Sequence, residues 1–190
     1  MTKELRWRIV TLQVVLVLVF GFCAGFLFWG AGFVNGMVHD ELVAQKIQFP
    51  PASEIKAGGA LDPAEFPAEI RNYAGQPLDT GDKARVYAND FIGLHLTKVA
   101  NGKTYAEVSA ASQADPKNTT LSNQANTLFK GEALRGLLLN AYGWSQVAMY
   151  AFFAAIGLSV AAFAVFCALL YELLLATRLA TAARTRPQPA

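Results

Sequence analysis

The residues that could carry catalysis or hold a metal are few and widely spaced. Between residues 35 and 143 the chain has two histidines, His39 and His95, and no cysteine. A zinc site needs three or four nitrogen, sulfur or oxygen ligands in clustered spacing. His39 stands beside Asp40 and Glu41, and His95 follows Asp90, but neither forms an H-E-x-x-H or H-x-H pattern. There is no G-x-S-x-G elbow, no phosphate loop and no G-x-G-x-x-G turn. The carboxylates Asp62, Glu65, Glu69, Asp79, Asp82 and Asp90 are spread along separate elements, as on a solvated face. These residues predict no catalytic group, no metal site and no cofactor. The chain reads as a non-enzyme.

The elements that would position any site are dominated by two apolar blocks. Hydrophobic residues make up 54% of the 190-residue chain and charged residues only 16%, unlike a soluble domain. The stretch Val147–Tyr171 has no charge until Glu172 and is long enough to cross the roughly 30 Å hydrocarbon core as a helix. Backbone groups in lipid must be satisfied within the segment, so a helix is its only single-segment form. Tyr142, Trp144 and Tyr171 stand at its ends, where amphipathic rings anchor at interfaces. The first block, Ile9 to about Val34, follows a basic start but exceeds the 7–15 apolar residues of a signal peptide core. It is expected to be a retained transmembrane helix. Gly21 and Gly25 form a small-xxx-small pair, repeated by Gly32 and Gly36. Such glycines predict close helix packing, against the second span or against a partner.

Charge sets the expected topology. The tail with Lys3, Arg6 and Arg8 against Glu4 carries +2, as does the tail with Arg178, Arg184 and Arg186 against Glu172. The whole chain is +2, so the middle is −2. Positive ends predict both termini in the cytoplasm and the middle outside. The expected layout is a cytoplasmic tail 1–8, span 9–34, extracytoplasmic domain 35–143, span 144–171 and cytoplasmic tail 172–190. The fold class is membrane and mainly α: two transmembrane helices flanking a mostly helical extracytoplasmic domain. The expected location is a bacterial inner membrane. No basic stripe lies outside the tails, so nucleic acid is not an expected partner. Cys23 and Cys167 lie at different depths, about 21 Å and about 6 Å from the cytoplasmic ends of their helices. That predicts no bridge between them.

Within the middle, Gln45–Phe49 alternates polar and apolar and predicts a short strand, followed by a loop over 50–61. Asp62-Pro63 predicts a helix start running to about Tyr73, with Pro67 able to cut it. Thr80 is a candidate N-cap for a helix over 83–100, which Asn101-Gly102 ends. Thr104 and Glu107 make a capping box, T-Y-A-E, for a helix to about Ala111. A last helix from about Thr120 is expected to bend into the second span near Gly136 or Gly143.

Ala44-Gln45-Lys46-Ile47, Tyr73-Ala74-Gly75-Gln76, Tyr87-Ala88-Asn89 and Gly102-Lys103-Thr104-Tyr105-Ala106-Glu107 together resemble a family of small actinobacterial membrane proteins. In that family Gly131–Gly136 would mark the entry to the second span. The resemblance covers about residues 10–170 and implies a helix, an external domain and a second helix. The family often carries the label of an aromatic ring-opening dioxygenase. This chain lacks the histidine set that such an iron enzyme needs.

What remains is a docking role. The leading expectation is an accessory subunit of a larger inner-membrane complex, respiratory or envelope-transporting, with other membrane subunits and the lipid bilayer as partners. A ligand-binding sensor domain outside the membrane is the alternative, with Tyr73, Tyr87, Phe91 and Tyr105 available to line a pocket. A homo-oligomer assembled through the glycine-rich first span is a third. Ile47, Phe49, Phe66 and Leu78, in the less regular first half, are the expected partner anchors, since hot spots are apolar or aromatic.

Overall fold

The computed structural model describes residues 3–57 and 62–184, with side chains described from 4 to 178. The expected loop residues 58–61, the side chains of Lys3 and Arg184, and Arg186 lie outside the described residues. The elements are helical: α1 Lys3–Ala44, a 3₁₀ turn Ala52–Glu54, α2 Ala68–Asn72, α3 Gly81–Val86, a π turn Tyr87–Gly93, α4 Leu94–Val99, α5 Tyr105–Ala114 and α6 Thr119–Arg184. The chain divides into two compact units, residues 1–32 with 149–190, and residues 33–148. Each unit takes one part of α1 and one part of α6.

The first unit pairs the two apolar helices. Both are long and apolar enough to cross a membrane, and only 11% of each apolar window is buried within the chain. A soluble core helix would be covered on every side, and these are not. The buried positions on α1 recur every seven residues: Val10, half-buried Val17, Ala24 and Ala31. On α6 the same period runs through Ala155, half-buried Ala162 and Leu169. A seven-residue repeat is the mark of left-handed knobs-into-holes packing. Phe28 and Phe152 meet edge to face across the seam at 5.5 Å. At one end Arg6 Nε lies 3.7 Å from Glu172 Oε2.

The expected glycine seam is not the one used within the chain. Nothing lies within 4 Å of where a Cβ would sit on Gly21, Gly25, Gly32 or Gly36. Alanine, with little side chain and full helix propensity, supplies the close approach instead. Cys23 and Cys167 are free thiols.

The second unit has a continuous apolar core: Val38 and Leu42 of α1, Ile70, Val86, Ile92, Leu96, Val108, and Leu128 and Leu138 of α6. The expected strand over 45–49 shortens to a single antiparallel bridge, Gln48 with Pro77. Two backbone hydrogen bonds pin it, Phe49 N–H to Gln76 O at 2.9 Å and Leu78 N–H to Ile47 O at 2.9 Å. Proline cannot donate a ladder hydrogen bond, which stops the pairing there. Residues 62–66 form a turn closed on the Asp62 carbonyl, and α2 starts only after Pro67. Thr80 caps α3 by accepting from Lys83 N–H, and the Thr104–Glu107 capping box is complete. Asn118 Oδ1 accepts from Leu121 N–H at 3.1 Å and starts α6. α6 continues unbroken through Gly136 and Gly143.

Two other glycines set the spacing to α6. A Cβ on Gly81 would fall 2.0 Å from Ser145 Oγ and 3.3 Å from Tyr142 Cα. A Cβ on Gly131 would fall 2.4 Å from a Leu96 methyl. Gly81→Ala should therefore cost about 1–3 kcal/mol by overpacking. Gly143→Ala, with open space around it, should gain about 0.5–1 kcal/mol from helix propensity. Thermal unfolding of the two variants checks this, and a Gly81→Ala midpoint equal to or above the parent would refute the contact.

Candidate functional site

Helix α3 continues into α4 without a break in direction-setting dihedrals, but the turn between them is π. A π turn inserts one residue into the ladder and re-aims the side chains around it. Here it carries Tyr87, Asn89, Asp90 and Phe91. On one side Tyr87 and Phe91 join a row of rings. Phe49 packs on Tyr73 at 5.4 Å and edge-on to Tyr87 at 5.2 Å. Tyr87 meets Phe91 at 4.7 Å, and His95 meets Phe91 at 4.6 Å and Phe66 at 5.3 Å. His95 Nδ1 donates to the Phe91 carbonyl at 2.8 Å. Burial pushes the Tyr87 phenol above its ordinary range. Burial also pushes the Asp90 carboxyl up, and Glu69 adds to that while Arg85 opposes it.

Toward α6, Asn89 holds a cation. Arg135 donates to Asn89 Oδ1 through Nη2 at 3.1 Å and Nε at 3.4 Å, and to Glu132 through Nη1 at 3.3 Å. Arg135 borders a cleft of about 380 Å³ with Gly93, Leu96, Lys103, Tyr105 and Leu128. Gly102, at φ +78°, turns the chain from α4 to α5 around its edge, a left-handed conformation that glycine adopts without strain. Gly131 leaves room for Leu96 in the cleft floor.

A second feature is a face of α6. Phe129, Ala133, Gly136, Leu137, Asn140, Trp144 and Val147 recur at helical spacing and are all exposed. Leu137 is 68% and Phe129 57% exposed, which is high for large apolar side chains in the unit that carries the core. The face has no charged residue over the 19 residues of helix from Phe129 to Val147, about 27 Å. Met37 of α1 joins Leu137 and Trp144 in a groove of about 370 Å³ beside it.

The expected partner anchors are not on any surface. Phe49, Phe66 and Leu78 are 2%, 4% and 0% exposed, and Ile47 packs half-buried against the same core. The backbone bonds over 47–49 and 76–78 turn Phe49 and Leu78 inward, so truncating them would leave a core cavity rather than a free surface. Of the four aromatics expected to line a pocket, Tyr73, Tyr87 and Phe91 pack on the core, and Tyr105 borders the cleft. His39 donates to the Asp79 carbonyl at 3.0 Å rather than pairing with Asp40 or Glu41. Among the described residues no three His, Cys, Asp or Glu side chains converge. The pairing of Asn89 with Arg135 has no local signal in the sequence, because the two lie 46 positions apart. No family model matches this chain, and no curated protein or solved structure matches it either.

One titration belongs to this side of the domain. The Thr104 backbone N–H donates to Glu107 Oε2 at 2.7 Å, its hydroxyl adds a second bond at 2.8 Å, and Lys103 is nearby. Together they hold the Glu107 carboxyl below its ordinary value of 4.5. A depressed carboxyl stabilises the fold above its unfolded pKa, and that contribution is lost as pH falls through the folded one. Wild type should thus be more heat-stable than Glu107→Gln at about pH 6, with the gap narrowing as pH falls below the ordinary value of 4.5 and through the lower folded one. A gap that stays constant across that range would rule out the charged cap.

Proposed function

We propose that this chain is a non-catalytic accessory subunit of a larger bacterial inner-membrane assembly, docked through the exposed face of α6. The observation that carries this is the length of uncharged helix. No Asp, Glu, Lys or Arg occurs between Arg135 and Glu172, 36 residues, or about 54 Å of helix against a hydrocarbon core of about 30 Å. Between Arg8 and Asp40 there are 31 such residues, about 46 Å. On the α6 length Leu138 and Ala148 are covered by the chain itself, while Leu137, Trp144 and Val147 stay exposed. Exposed apolar side chains along a helix longer than a membrane's core mark a covered surface. The partner is another membrane protein whose own helix lies along Phe129, Leu137 and Trp144. The unused glycines Gly21, Gly25, Gly32 and Gly36 give a second strip where a neighbouring helix could approach closely.

The topology in this reading has both termini in the cytoplasm and residues 35–143 outside, from the basic tails. In a chain with Cys23 and Cys167 replaced by serine, a cysteine at position 112 should react with a membrane-impermeant maleimide in intact cells. One at position 181 should not. The reverse pattern would overturn the orientation.

For docking, a photoreactive benzoylphenylalanine at Leu137 should give one discrete adduct in intact membranes, and the same group at Gln113 should give none. Leu137→Lys should abolish the complex without loss of helix content. A wild-type chain that leaves the membrane as a lone monomer, with no adduct at Leu137, would defeat the accessory role. An adduct of twice the chain mass would make the partner a second copy.

A further inference from the structure

The cleft between the α4–α5 turn and α6 goes beyond docking, because its walls carry the chemistry of a ligand site. Its volume, about 380 Å³, falls within the roughly 300–1,000 Å³ of small-molecule pockets. The floor is apolar, made by Leu96 and Leu128, which are 7% and 2% exposed, with the Tyr105 ring beside them. The charged side chains lining the cleft are Lys103, Arg135 and Glu132, with Glu107 beside the lining in the field of Lys103.

Arg135 is prepared rather than spent. A guanidinium has five N–H donors, and Asn89 and Glu132 take three of them. One N–H remains on each terminal nitrogen, the pair that a carboxylate can accept in a fork. Asn89 is an uncharged acceptor that fixes one edge of the guanidinium, while the Glu132 carboxylate pairs with Nη1 at 3.3 Å. Lys103 is exposed and shares its field with Glu107, whose Oε2 already accepts two bonds from Thr104. A ligand that satisfies this arrangement carries one negative charge and an apolar body. Two cationic side chains on the lining disfavour an amine, and the apolar floor gives inorganic phosphate no advantage.

We propose that this cleft binds a small organic monoanion, with the carboxylate on Arg135 and Lys103 and the hydrocarbon body over Leu96 and Leu128. The site is independent of the accessory role, so a subunit with or without a partner would carry it.

The test uses the full chain in lipid nanodiscs and titrates hexanoate, with hexanamide as the neutral control and inorganic phosphate as competitor. Saturation-transfer NMR should show saturable hexanoate binding that weakens with salt, with hexanamide about tenfold weaker or more. Phosphate should not displace it. Arg135→Gln and Lys103→Gln should each weaken hexanoate about tenfold with the helical circular dichroism unchanged. Lys103 is exposed, so its variant reports on the site even where Arg135→Gln disturbs the fold. Absence of saturable hexanoate binding, equal binding of hexanamide, full competition by phosphate, or unaltered binding by Lys103→Gln would each overturn the proposal.

Discussion

Two missing side chains fix the geometry of the helical domain. At Gly81 and Gly131 the α3–α4 run lies so close to α6 that a Cβ would overlap Ser145 or Leu96. Helices whose side chains interdigitate normally keep their axes about 8–10 Å apart, and glycine at the contact lets backbone approach side chain directly. The Asn89–Arg135 pair and the cleft floor both span that approach. Were α6 further away, Arg135 would reach neither Asn89 nor the rim it shares with Lys103.

The π turn converts this proximity into a site. A regular helix over 81–99 would keep every side chain on its 3.6-residue register. The extra residue in Tyr87–Gly93 breaks that register once. Tyr87 and Phe91 stay with the core while Asn89 is released to Arg135. Asp90 is left partly buried with its carboxyl pushed up, a small destabilisation that Glu69 adds to and Arg85 only partly opposes. Strain or frustration of this kind collects where geometry serves something other than packing.

The two apolar helices obey a different economy. Water drives no association between them in lipid, so contact area and close approach decide the pairing. The seven-residue alanine and valine register supplies both, and the pairing of Arg6 with Glu172 marks one end of the seam. Glycines lie off this register, on faces open within the chain. Which small residues pair is a question of register, and counting small residues along one helix does not answer it.

What the sequence by itself determined is everything local. The capping box at Thr104 and the N-caps at Thr80 and Asn118 are set by side chains three residues from the amides they satisfy. The helix stop at Asn101-Gly102 is set by backbone conformation, and the two long apolar blocks by composition. Tertiary structure alone decided the direction that isolated apolar residues face. Phe49, Phe66 and Leu78 sit in irregular chain with no period to give them a side, and two backbone hydrogen bonds from a distant segment turned Phe49 and Leu78 inward. The same holds for the π turn and for Arg135. Their partners are tens of residues away, and no local pattern encodes a contact that only the packing of α4 on α6 creates.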